Sequence, residues 1–208
     1  MLWNLLDGRA YTATELAMAA DVSATSASNH LTKLLEAGII KVDIQGRHRY
    51  YAFSRPEVAY AVESLATLGN GAGTLESKKQ EEVKGIRFCR SCYDHLAGIV
   101  GVRLSEAIEQ KGCLKKTSDR EYIVTAKGWN WLSQLEITKD DFVKNRRSIA
   151  RQCLDWTERK PHVAGQLGAI LLQKMLEKKW FRKTQFSREL VITAKGRQEL
   201  NALLGIDI

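Results

Sequence analysis

Residues 88–98 read FCRSCYDHLAG, which sets Cys89, Cys92 and His95 at intervals of three. Thiolates and an imidazole are soft and borderline ligands, so metal binding is the first chemistry this spacing could serve. A zinc site of the Cys-x2-Cys type normally takes a second ligand pair from elsewhere, and no second Cys-x2-Cys is present. Read as a helix, the segment would spread the three side chains over about 120°, given 3.6 residues per turn, and Cys89 and His95 would point apart. Cys153 and His162 could complete a ligand set only through the tertiary fold. The expectation is therefore no metal and no cofactor.

Two other chemistries fit the same residues. A thioredoxin-type dithiol needs a βαβ setting, which the sequence does not show. A regulatory thiol needs less. Arg87 lies near Cys89 and Arg90 near Cys92, and cationic neighbours favour thiolate, so oxidation or alkylation could alter packing. An organic effector is the other choice, because Tyr93, His95, Trp156 and His162 supply aromatic faces and polar handles. Simple packing stays open beside these, since cysteine is often a small buried apolar side chain. Cys89, Cys92, Tyr93, His95, Cys153, Trp156 and His162 are thus the candidate effector or thiol-sensing residues. A nucleophile–base pair of Cys92 and His95 has no recognisable oxyanion hole or third group, so no catalytic residue is assigned and no enzyme is expected.

The elements that would position a second kind of site stand earlier in the chain. Thr12 or Thr14 can cap a short helix with Leu16 and Ala20 inward, and Ala19–Val22 can turn the chain. Ser23 is an N-cap for a second helix whose Ala27, Leu31, Leu34 and Leu35 form an apolar stripe. Its other face presents Thr25, Ser26, Ser28, Asn29, Thr32 and Lys33, small polar side chains suited to base edges and phosphates. Gly38 ends the helix. IIKVDI and HRYYAF then alternate as strands do, with QGR between them, which predicts a hairpin carrying Arg47, His48 and Arg49 near its tip. A basic hairpin beside a helix-turn-helix can grip flanking phosphates. The expected DNA-binding residues are Ser23, Thr25, Ser26, Ser28, Asn29, His30, Lys33, Arg47, His48 and Arg49.

Residues 69–85, GNGAGTLESKKQEEVKG, are rich in Gly, Lys and Glu and read as a linker. Beyond them the chain repeats itself. HLAGIVG at 95–101 matches HVAGQLG at 162–168, and REYIVTAKGWNWL at 120–132 matches RELVITAKGRQEL at 188–200. Each copy reads as helix, loop, strand ending in Thr, and a helix capped by Thr125 or Thr193. In this reading His and Gly recur between copies but the cysteines do not. The expected fold is mainly α with small β-hairpins (α+β): a winged helix-turn-helix over 1–68, then two winged-helix-like pseudo-repeats within 86–208, at about 86–135 and 153–204.

Composition bounds these readings. The 208 residues are 44% hydrophobic and 27% charged, which is globular. No apolar run reaches the roughly 18 residues that span a bilayer, and the first ten residues lack the pattern of a secretory signal. Four cysteines fit a reducing, cytoplasmic setting. Net charge is +8, which suits an anionic partner, yet residues 1–68 sum to −1 and 69–208 to +9. Charge alone points to the second part and the motifs to the first.

The motifs SNHL (28–31), LLEAGII (34–40) and QGRHRYY (45–51) resemble the ArsR family of bacterial winged-helix repressors over about the first third of the chain. The resemblance implies a homodimer that binds a double-stranded DNA operator and represses until an effector releases it. It places Thr25, Ser26, Ser28, Asn29 and His30 on the recognition surface and Arg47 and Arg49 in the wing. Metal-responsive members carry ELCVCDL where this chain has ELAMAADV, and others use His and carboxylates on the helix after the wing, where this chain has Glu57 and Glu63 but no His. Members generally have a further helix before the segment that Met1 opens, one that helps dimerisation. The C-terminal block resembles the extension of longer members of the family. Other classes fit the same pattern: a winged-helix module that binds protein, or a metal-responsive regulator using Cys89, Cys92 and His95.

Overall fold

The computed structural model describes residues 1–69, 84–185 and 187–208. The expected linker falls largely on 70–83, outside the described residues. Two compact units emerge: the first from the described residues of Met1–Ala72 and Thr184–Arg188, the second from those of Gly73–Lys183 and Glu189–Ile208.

In the first unit a 3-10 turn, Asn4–Asp7, buries Leu5 and Leu6. Strand β1 (Tyr11–Thr12) leads into α1 (Ala13–Ala19), α2 (Ala24–Glu36), β2 (Ile40–Gln45), β3 (His48–Phe53) and α3 (Pro56–Gly69). The strands pair antiparallel in the order β1-β3-β2. Thr12 caps α1 reciprocally: Glu15 N–H donates to Thr12 Oγ1 at 3.3 Å, and Thr12 N–H donates to the Glu15 carboxylate at 2.7 Å. Ser26 N–H donates to Ser23 Oγ at 3.2 Å, which makes Ser23 the cap of α2. Leu5, Leu16, Leu31, Ile40 and Tyr51 form the core. Leu34 and Leu35 lie half-buried at its rim. Ala17, not Ala20, accompanies Leu16 inside, because α1 ends at Ala19 and Ala20 is already its C-cap. Glu63 on α3 is buried against Arg188, at 2.6 Å.

The second unit runs through β4 (Arg90–Cys92), β5 (His95–Ala97), α4 (Gly98–Gln110), β6 (Leu114–Lys116), β7 (Tyr122–Val124) and α5 (Ala126–Ser133). The same order follows in β8 (Arg151–Leu154), β9 (Pro161–Ala164), α6 (Gly165–Glu177), β10 (Phe181–Lys183), β11 (Leu190–Ile192) and α7 (Ala194–Leu204). Hairpin, helix, hairpin, helix therefore occurs twice. A single apolar core runs through both copies, including Leu104, Leu132, Leu167, Leu171 and Leu200. The copies interlock: α4 packs on β9 and α6 on β5, so each long helix lies against the other copy's hairpin.

The repeated TAKG has a physical reason. Thr125 Oγ1 accepts from Gly128 N–H and donates to the Gly112 carbonyl; Thr193 Oγ1 accepts from Gly196 N–H and donates to the Lys179 carbonyl. Each Thr both caps its helix and ties it to the hairpin before it. A Cβ on Gly128 would sit 2.1 Å from the Cys113 carbonyl oxygen, and one on Gly196 2.2 Å from that of Trp180. Only glycine allows that approach.

One expectation is corrected. FCRSCYDHLAG does not open a helix. Residues 90–97 form the β4–β5 hairpin with a two-residue turn, Tyr93–Asp94, and the helix begins at Gly98. Strands of three residues are too short to show a period of two, and the helical apolar pattern of 98–110 extends by eye into them.

Candidate functional site

Two groups of residues stand out, one in each unit. In the first unit, α2 turns Ala27 and Leu31 into the core and leaves Thr25, Ser28, Asn29 and Thr32 exposed. Among the described residues none hydrogen-bonds the side chains of Thr25, Ser28 or Asn29, so their polar groups remain available to a ligand. Ser23 is partly committed as the cap, and Ser26 is half-buried beside it. His30 and Lys33 sit on the flank of α2, where they line an apolar groove of about 690 Å³ with Leu2, Leu34, Val62 and Leu65. The β2–β3 hairpin turns through Gly46–Arg47, with Gly46 at φ +60°. Arg47, His48 and Arg49 are exposed at its tip, and neither arginine has a carboxylate partner among the described residues.

In the second unit the hairpins assemble a compact cluster. Cys92 stands opposite His95 across β4–β5, and Cys153 opposite His162 across β8–β9. His95 Nε2 and His162 Nε2 face each other at 3.1 Å. One ligand atom from each of Cys92, His95, Cys153 and His162 lies within 4.8 Å of all the others. Cys92, His95 and His162 are buried and Cys153 half-buried. The helical geometry that set Cys89 and His95 apart does not exist in this chain. In the hairpin it is Cys92 that meets His95, and the tertiary fold supplies the second pair. Sequence reading missed the partnership because two residues separate Cys92 from His95 whereas eight separate Cys153 from His162. Aligned by strand register, the copies read Arg-x-Cys-x-Asp and His-x-Ala-Gly in both hairpins, from Arg90 and Arg151. The cysteines do recur, which corrects the earlier reading.

Carboxylates stand behind both imidazoles. Asp94 Oδ1 lies 3.3 Å from His95 Nδ1, and Asp94 also pairs with Arg147 at 2.7 Å. Asp155 Oδ2 lies 3.3 Å from His162 Nδ1, within ion-pair reach although off line for a well-aligned hydrogen bond. The same oxygen accepts from Arg90 Nη2 at 3.0 Å and Gly98 N–H at 2.8 Å. Its other oxygen accepts from Thr157 N–H, Thr157 Oγ1 and Glu158 N–H, which folds the longer loop of the second hairpin onto Asp155. Burial alone would raise the Asp155 carboxyl, but His162, Arg90 and Thr157 hold it far below the usual carboxylate range. Arg90, fully buried, also stacks on Trp156 with its guanidinium carbon 5.1 Å from the ring centre.

The remaining sensing candidates separate from this cluster. Cys89 is completely buried in the core, and burial pushes its thiol up to about 12 against the opposing pull of Arg90. Tyr93 is exposed at the hairpin turn with φ +57°, a conformation that a bulky side chain rarely adopts. At 3.1 Å between their nitrogens, the imidazoles leave no room for an organic molecule between them.

Comparison with known proteins bears on the whole chain. No family model matches it. It is 40% identical over all 208 residues to an uncharacterized HTH-type transcriptional regulator, YdfF, of Bacillus subtilis (strain 168), covering 92% of that protein. A likeness of this extent includes both units, and the chain belongs to the same family of HTH-type transcriptional regulators.

Proposed function

We propose that this protein is a DNA-binding transcriptional repressor of the ArsR type, acting as a homodimer and released by a signal received in its second unit. The observation that carries the reading is the exposed polar face of α2 together with a basic hairpin tip whose arginines have no carboxylate partner among the described residues. Thr25, Ser28 and Asn29 would meet base edges in the major groove, while Arg47 and Arg49 hold phosphates beside it. The apolar groove next to α2, with Trp3 53% and Leu65 63% exposed at its edge, supports a second copy as partner. A two-fold dimer then calls for half-sites about 10 base pairs, or a multiple, apart. The signal must favour one of two dimer states by differential binding energy. Its reception falls to the cluster of Cys92, His95, Cys153 and His162, where Cys153 is the thiol that solvent reaches most readily.

The test is a salt-dependent gel shift on the promoter of the protein's own gene. Arg47→Ala with Arg49→Ala should weaken binding to every sequence and reduce the salt slope by about two, one per lost phosphate contact. Absence of binding at low salt overturns the repressor reading and leaves a protein-binding module. An unchanged slope removes the wing from the phosphate contacts.

A further inference from the structure

Two thiols and two imidazoles are the ligand set of closed, four-coordinate zinc sites, while hard cations such as magnesium and calcium take oxygen ligands instead. Zinc–nitrogen and zinc–sulfur bonds of about 2.05 and 2.3 Å separate tetrahedral ligand atoms by about 3.3–3.8 Å. The Nε2 atoms already stand 3.1 Å apart, and the whole tetrad lies within 4.8 Å. Side-chain shifts on the order of 1 Å would close such a site.

The surroundings point the same way. A metal-bound imidazole usually has a carboxylate behind its other nitrogen, which fixes the tautomer and aims the ligand atom. Both imidazoles here have one, Asp94 and Asp155. The two Nε2 atoms face each other at 3.1 Å, so the lone pairs of the neutral imidazoles can converge on one cation. Arg90, Gly98 N–H and Thr157 in turn anchor Asp155.

We propose that Cys92, His95, Cys153 and His162 bind one zinc(II) ion in a closed tetrahedral site that pins the two hairpins of the second unit together. Zinc takes both cysteines as thiolates and both imidazoles through an unprotonated Nε2, so binding one zinc releases to solvent the two thiol protons together with any proton the facing nitrogens share in excess of one per ring. Four protein ligands leave no open position for a substrate, so the ion's role is structural or regulatory. The site does not use Cys89. The proposal is independent of the DNA-binding reading, since it is read from metal content and spectra of the protein without DNA.

The experiment uses the full chain, purified reduced, without chelator and with any affinity tag removed. Native mass spectrometry and elemental analysis should find about one zinc per chain. Cobalt(II) added to chelator-stripped wild-type protein should give intense visible d–d bands of a tetrahedral ion and a thiolate-to-cobalt charge-transfer band. Cys153→Ser should reduce retained zinc to less than about a tenth of an equivalent after dialysis, whereas Cys89→Ala should retain it. The cobalt spectrum depends on no variant folding. Wild-type protein that holds no zinc after reconstitution, a cobalt form without the charge-transfer band, or a Cys153→Ser variant with wild-type zinc content overturns the proposal. So does isolation of the reduced preparation with a Cys92–Cys153 disulfide in place of the ion.

Discussion

The two copies in the second unit share an order of elements but not a manner of holding their chemistry. In the first copy a two-residue turn joins Cys92 to His95, and the supporting Asp94 is partly exposed and shared with Arg147 at the surface. In the second copy a longer loop is drawn in by a wholly buried Asp155, which answers to Arg90 from the first copy. The same Cys–His pair is thus presented once by a short turn and once by a buried ion pair. A tight turn sets register by its length alone, whereas a long loop needs internal bonds to reach the same register.

The two hairpins differ most at the buried pair. Arg90→Met leaves the Asp155 charge without its cation in a desolvated site and should cost about 3–5 kcal/mol by chemical denaturation. A loss below about 1 kcal/mol would mean that the second hairpin does not depend on this pair. The two glycines of TAKG offer a symmetric test. Gly128→Ala and Gly196→Ala should each destabilise by about 1–3 kcal/mol, and equally, because each methyl meets a backbone carbonyl at nearly the same distance. Unequal losses would show that the copies are packed less alike than their helices suggest. Thr125→Ala and Thr193→Ala should each cost about 1 kcal/mol, the usual size of an N-cap, read as a shift in the unfolding midpoint. The smallest effect belongs to the first copy's surface pair: Asp94→Asn should change stability by no more than about 1 kcal/mol. A loss as large as that of Arg90→Met would erase the distinction between the hairpins.

What the sequence revealed follows from where its signals were local. Ser23, Thr125 and Thr193 could be recognised as caps because a cap is defined by the next three residues. The wing was legible because Gly46–Arg47 separates two runs of six. The repeat was visible in HLAG and TAKG, where steric demands fix residue identity: Gly98 and Gly165 both take φ near +80°, with a carbonyl 2.8 Å from where a Cβ would be. The Cys–His cluster was illegible for the opposite reason. Its strands are too short to carry a period, its second half is displaced by a six-residue difference in loop length, and the distance from Cys92 to Cys153 spans sixty residues of intervening fold. The motif position of His30 says nothing of the groove it lines: by about 100° per residue it stands about 60° from Ala27 and about 100° from Leu31, on the side of α2 that lines the groove with Leu34 and Val62.

The division of the tetrad between copies has a consequence for how its affinity arises. Neither copy carries more than two of the four ligands, so a lone copy could complete the set only by meeting another molecule, and its binding would then depend on protein concentration. Joining both halves in one polypeptide replaces that encounter with an intramolecular one, at an effective concentration fixed by the shared core rather than by expression level. Occupancy would then follow the supply of the ion alone, which is the property a dose-responsive regulator needs.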